Sequence, residues 1–159
     1  MHRWVRNFEV LCLAFWLGAS IWFVFIQSPL LFRAVPGIAP VLQELLFPRY
    51  WNLGYGCLGL GTLFLLVRAF LYVDKSLFLK AIVLSVMIGL LAIIQFKITP
   101  EVRSLGSQLI EAGAHPDPEV KKAFGKWHGI AMGLNLVVFL VVLLVTWLEI
   151  CPKQKFSND

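Results

Sequence analysis

Charged residues are scarce in this sequence, and so are the groupings of polar residues on which most enzymes depend. Only 14% of the 159 residues are charged, whereas an ordinary soluble domain carries about 25%. No serine, histidine and acid fall where they could meet, and the apolar stretches hold no pair of carboxylates for acid–base catalysis. We therefore expect no enzymatic activity and assign no catalytic residue.

Cysteine is also sparse. Cys12, Cys57 and Cys151 form neither a C-x-x-C pair nor an even framework, so a disulfide scaffold is not indicated. The first two lie in apolar stretches, where a thiol usually behaves as a small hydrophobic group. Cys151 follows the last apolar stretch and is a candidate for lipidation in a host with that machinery.

Apolar residues are abundant, at 59% of the chain with a mean hydropathy of +0.80. Four stretches are almost free of charge, at about 10–32, 51–73, 77–96 and 127–148. Roughly 20 helical residues cross a hydrocarbon core of about 30 Å, so each stretch can span a membrane once. The sequence therefore predicts one all-α integral membrane domain over 1–159, with four transmembrane helices in a bundle.

The first stretch could instead be a signal peptide, because Arg3 and Arg6 precede it. No A-x-A-like cleavage site follows, and the apolar run continues through Phe23, so we expect a retained span. Four crossings place both termini on one side. Basic residues are densest in the short segments of that side, which predicts cytoplasmic termini in a plasma or inner membrane. The net charge of +5 then faces the lipid bilayer and not a nucleic acid.

Two short amphipathic helices are predicted outside the spans. Residues 41–47 lie between Pro40 and Pro48 and show helical spacing of apolar residues, which favours a helix along the membrane surface. Residues 100–112 follow Thr99, and the last span is preceded by Asp117. Each of these two side chains stands before a proline and an acid, a sequence typical of a capped helix start.

Small residues recur at helical spacing in every span. "GYGCLG" at 54–59 matches a dinucleotide-binding pattern in letters only, because it lies inside an apolar span and not after a strand. The ladders predict close approach of helices in lipid, within the bundle or in a homo-oligomer. The predicted helix-packing residues are Gly18, Gly54, Gly61, Gly89, Gly125, Gly129 and Gly133.

Polar residues collect at the span ends opposite the termini. His128 and Asn135 are seven residues apart on one helix, so they lie on nearly one face, about 10 Å apart in depth. Such groups should converge on one another or on a ligand. The predicted residues of this polar vestibule are His128, Asn135, Gln95, Gln27 and Asn52.

The vestibule leaves several interpretations open. It is either an interhelical hydrogen-bond network or a pocket for an ion or small ligand. One alternative is a permeation path between the spans. Another is a haem or metal module in which His128 is the one axial ligand. No second histidine, carboxylate or thiol lies at the same depth, so no metal site is assigned and the cofactor is unknown.

Four ionisable residues lie near the span ends on the side of the termini. They either pair in the interior or extend to water, and we expect the second. In a permeation path, Glu9 and Arg68 would form the gate. The four are Glu9, Arg68, Lys80 and Glu149.

The order of motifs resembles a known family. "WLGASIWFVFIQSPLLFRAVP", "LFPRYWNLG" and "FGKWHGIAMGLN" are similar to segments of the transmembrane protein 205-like family, the domain of unknown function 4149. The resemblance implies a four-helix membrane protein of largely unassigned activity. Ala131 stands where the family carries a small hydroxyl residue, which argues against a proton relay there. The matching positions are Gly18, Pro29, Phe32, Phe47, Pro48, Tyr50, His128, Gly129 and Asn135.

Overall fold

The structure, a computed structural model, describes residues 2–35, 39–113 and 117–151. These residues are almost entirely helical, and no strand occurs among them. The helices are α1 (His2–Ile21), α2 (Ser28–Ala34), α3 (Ala39–Tyr72), α4 (Lys75–Ile93), α5 (Thr99–Ala112) and α6 (Pro118–Ile150). Two π-helical segments, Trp22–Gln27 and Ile94–Ile98, join α1 to α2 and α4 to α5.

Four helical stretches within this part of the chain are long and apolar enough to cross a membrane. This confirms the predicted all-α membrane protein with four spans. Each stretch is longer than predicted because its helix continues into an amphipathic flank at one or both ends. The four stretches are Arg3–Leu31, Leu45–Tyr72, Lys75–Ala112 and Pro118–Ile150.

The predicted surface helix at 41–47 is not a separate element. It forms the first turns of α3, which runs without a break through Pro48. Proline removes one hydrogen bond and crowds the preceding turn, yet a helix of 34 residues keeps enough other bonds to absorb the defect. Proline was therefore a poor marker of a boundary here.

The first π segment is explained by Pro29. Proline cannot donate to the carbonyl four residues earlier, at Phe25, and its ring crowds that group. The backbone widens over Trp22–Gln27, and the Ser28 hydroxyl donates to the carbonyl of Phe23 at 2.9 Å. The Phe23 carbonyl also accepts the backbone N–H of Ser28, five residues later, so the helix continues through the proline by a local π-type adjustment.

The same arrangement recurs at Pro100, and it corrects the prediction of a capped helix start at Thr99. The Thr99 hydroxyl donates to the carbonyl of Ile94 at 2.9 Å and makes no cap. The predicted helix at 100–112 exists as α5, joined directly to α4. At Asp117 the predicted cap is confirmed, because its carboxylate accepts the backbone N–H of Glu119 at 2.9 Å.

The chain divides into two units. The first comprises residues 1–88 and 141–159, as far as they are described, and the second comprises 89–140. In the first unit, α1 and α3 pack along a seam in which the buried positions alternate by three and four, as in a coiled coil. The seam runs along α1 through Glu9, Leu13, Trp16 and Ser20 to Phe23 in the first π segment, and Leu17 is buried beside it.

Candidate functional site

Four ionisable side chains, one from each span, meet in the first unit. We call Glu9, Arg68, Lys80 and Glu149 the charged cluster. Nη1 of Arg68 donates to Oε2 of Glu9 at 2.5 Å and to Oε2 of Glu149 at 2.7 Å. The ammonium group of Lys80 donates to the other oxygen of Glu149. The cluster thus links α1, α3, α4 and α6 through three ion pairs.

The charged cluster is largely removed from solvent. The side chain of Glu9 is 0% exposed and that of Glu149 is 3% exposed, while Arg68 and Lys80 are 12% and 18% exposed. The expectation that these residues extend to water is therefore wrong. Glu9 heads the inward stripe of α1, four residues before Leu13, and this spacing was the signal that could have revealed its burial.

Glu9 is the least satisfied member of the cluster. Its Oε2 is bound by Arg68, but its Oε1 is buried and has no hydrogen-bond partner among the described residues. Removing a carboxylate from water costs several kcal/mol, and the ion pair offsets this cost only when the remaining lone pairs are also satisfied. The free oxygen therefore marks Glu9 as the member best placed to accept a further donor or a proton.

Further polar groups line the α1–α3 seam below the cluster. The Ser20 hydroxyl donates to the carbonyl of Trp16 at 2.8 Å and lies 3.3 Å from the Tyr50 hydroxyl. Thr62 donates to the carbonyl of its own helix at Leu58, so its oxygen keeps lone pairs for other donors. The sequence did not predict this row of hydroxyls, because its residues lie within or beside apolar runs.

Buried polar atoms without a partner among the described residues add to the row. They belong to α1 and α3 of the first unit and increase the number of donors that face the interior. These atoms are Nε1 of Trp16, Nε1 of Trp51 and the hydroxyl of Tyr55.

The predicted vestibule residues are divided between the units. Gln27 is half-buried and Asn52 is exposed in the first unit. In the second unit, His128 is exposed and its ring stacks on that of Phe124, with 5.5 Å between the ring centroids. The side-chain amide of Asn135 donates to the Ala131 carbonyl at 3.0 Å. Oε1 of Gln95 is buried without a partner in the described part of the chain.

No hydrogen bond joins the vestibule residues of either unit to one another, as far as the described residues show. Within the same residues, no group of three or more histidine, cysteine or acidic side chains could hold a metal ion. The vestibule therefore stays a prediction, whereas the charged cluster is assembled by contacts.

The predicted packing glycines divide into two sets. A Cβ built on Gly61 would lie 2.8 Å from Cδ2 of Leu13, and Gly54 is buried. A Cβ built on any of the other five glycines would meet no described atom within 4 Å, apart from the backbone of its own helix. These five are Gly18, Gly89, Gly125, Gly129 and Gly133. Their part in helix packing stays a prediction, and the close approach is seen at Gly61.

Substitution of His128 by alanine is expected to change the stability little. The exposed imidazole loses only its stacking on Phe124, a contact of about 0.5–1.5 kcal/mol. The measurement is thermal unfolding in mild detergent, with absorbance spectra and elemental analysis of both proteins. A loss of bound metal or of a chromophore in the variant would contradict this expectation and make His128 a ligand.

Comparison with known proteins gives three findings. The model of the family described as "Domain of unknown function (DUF4149)" matches residues 11–111. A protein of Aquifex aeolicus (strain VF5), named "Uncharacterized protein", is 30% identical over 133 residues, covering 82% of this chain and 86% of the relative. No solved structure matches.

Proposed function

The chain belongs to the DUF4149 family, and we propose that it is a non-enzymatic membrane protein that lets a proton or small inorganic ion pass along its interior. In this proposal the charged cluster is the gate on the side of the termini. One observation carries it: Glu9, Arg68, Lys80 and Glu149, each from a different span, are joined by ion pairs away from water. Ionisable groups within spans are rare and are typical of ion and proton pathways.

Buried hydroxyl groups of the first unit support a path for ions on the inner side of this gate. A permeating ion needs donors or acceptors in place of its hydration shell. The first unit has them in Ser20, Tyr50 and Thr62 on α1 and α3, and in the buried Thr146 on α6. Each hydroxyl of Ser20, Thr62 and Thr146 donates to its own helix, so its oxygen can still accept a donor or bind a cation.

The vestibule is the second candidate for ligand binding. The observation that favours it is the buried, unpartnered Oε1 of Gln95 in the second unit, which could accept a donor from an ion's hydration shell or a small ligand. His128 and Asn135 are its other members in that unit. Gln27 and Asn52 belong to the first unit and stay predicted members only.

Neutralising Glu9 tests the gate. Glu9→Gln keeps the shape of the side chain but removes the negative charge that holds Arg68. A hydrogen bond to a charged group contributes about 1.5–3 kcal/mol. Because the gate is then held closed less tightly, we expect the ion flux to rise by about tenfold or more. The measurement is the flux of protons, potassium and chloride into liposomes that contain the purified protein.

Glu101→Gln is the matched control, because Glu101 is an exposed acid on α5 and undergoes the same chemical change. Its flux should equal that of the wild-type protein. If neither the wild type nor Glu9→Gln moves any of the three ions, the permeation proposal is wrong. If both substitutions raise the flux equally, the charged cluster is not the gate.

A further inference from the structure

A basic pocket lies where the first two spans end on the side of the termini. Its volume is about 490 Å³, within the range of about 300–1,000 Å³ that is usual for ligand sites. All of its lining residues belong to the first unit. They are Arg3, Arg6, Asn7, Arg68 and Tyr72.

Helical spacing brings these side chains to one place. Arg3 and Arg6 are three residues apart on α1, and Arg68 and Tyr72 are four residues apart on α3. Residues with these spacings lie on the same face of a helix. The packing of α1 against α3 therefore places two arginines from one helix beside an arginine and a phenol from the other.

The pocket and the adjoining charged cluster together carry an excess of positive charge. Four basic groups, Arg3, Arg6, Arg68 and Lys80, stand against the carboxylates Glu9 and Glu149. The two carboxylates are held by Arg68 and Lys80. Arg3 and Arg6 form no ion pair with any described residue, so two positive charges face the pocket without a counterion in this part of the chain.

We propose that this pocket binds a phosphate group, either of an anionic phospholipid headgroup or of a free phosphate ion. The guanidinium group is planar, always charged and matched to two oxygens of a phosphate at once. Arg3 and Arg6 supply two such groups, and the side-chain amide of Asn7 lies in the same pocket lining and adds N–H donors. The proposal does not depend on ion permeation, because the gate uses neither Arg3 nor Arg6.

Arg68 connects the pocket to the cluster. Both of its ion pairs use Nη1, and a guanidinium group carries five N–H donors, so donors remain to reach an anion in the pocket. A phosphate bound there would contact the residue that holds both Glu9 and Glu149. Occupation of the pocket would therefore add to the interactions that fix Arg68 in place.

The test is binding of phospholipids to the purified full chain. Native mass spectrometry in neutral detergent measures retained dioleoyl phosphatidylglycerol against dioleoyl phosphatidylcholine for the wild type and for the double variant Arg3→Gln/Arg6→Gln. We expect the wild type to favour the anionic lipid and the variant to bind it at least about tenfold more weakly, because each basic residue contributes separately to holding an anionic headgroup.

The double variant Arg33→Gln/Arg49→Gln is the matched control. It removes the same charge from exposed arginines of the first unit that do not line the pocket, and its binding should stay within about twofold of the wild type. Equal losses in the two double variants, or no loss in either, would overturn the proposal. The same proteins could still pass ions, so this failure is distinct from that of the gate.

Competition with inorganic phosphate shows whether the pocket binds a free phosphate ion or the phosphate of a lipid headgroup. If millimolar phosphate displaces phosphatidylglycerol and raises the unfolding temperature of the wild type but not of Arg3→Gln/Arg6→Gln, the pocket accepts the free ion. If phosphate has no effect while the Arg3 and Arg6 dependence of lipid binding holds, the ligand is the lipid headgroup. Either result supports a phosphate site.

Discussion

Replacing Arg68 by methionine is expected to lower the free energy of unfolding by about 3–5 kcal/mol, the usual cost of removing one partner from a buried ion pair. Arg68 is the only described partner of Glu9, whose side chain is 0% exposed. Glu149 would retain Lys80. The loss therefore arises mainly from an uncompensated carboxylate at Glu9, and it is measured by chemical or thermal unfolding in mild detergent.

Two further variants identify the cause. Arg33→Met removes an exposed arginine from the last turn of α2 and should change the stability by less than about 1 kcal/mol. Glu9→Gln, added to Arg68→Met, should recover part of the loss, because an amide is less costly to bury than a charge. If Arg68→Met is as stable as Arg33→Met, the charged cluster does not hold the spans together.

Replacing Gly61 by leucine is expected to be the next most damaging change, at about 1–3 kcal/mol or more for overpacking. Even a single Cβ would lie 2.8 Å from Cδ2 and 3.3 Å from Cγ of Leu13. The larger side chain would force α1 away from α3 along the seam that positions Glu9 and Arg68. Unfolding in detergent measures the stability, and liposome flux measures the effect on the gate.

Gly18→Leu is the control for helix propensity, since both glycines gain the same side chain and Gly18 has no described atom within 4 Å of a built Cβ. Its stability should be unchanged or raised, because leucine is the better helix former by about 1 kcal/mol. Leu13→Ala in the Gly61→Leu background should restore part of the stability, because the smaller side chain at position 13 makes room for the new leucine. Equal effects of the two glycine substitutions would show that Gly61 is not a close contact.

Local sequence rules succeeded where the structure depends on neighbouring residues and failed where a proline suggested a boundary. The Asp117 cap was predicted correctly because a carboxylate two residues before a free N–H needs no tertiary partner. Thr99 has the same sequence context, but it follows an apolar helix that already continues, so its hydroxyl bonds backward to Ile94. In lipid, an uninterrupted helix satisfies more backbone groups than a new start does.

The sequence by itself determined that this is a four-span helical membrane protein, because hydropathy and length need no knowledge of which helix meets which. Only the tertiary structure decided where its polar groups converge. Seven residues of spacing placed His128 and Asn135 on one face, yet in the described structure each contacts only its own helix, His128 at Phe124 and Asn135 at Ala131. Arg68 is 59 residues from Glu9 and 81 from Glu149, and such contacts depend on the packing of four helices, where a buried charge must find its counterion.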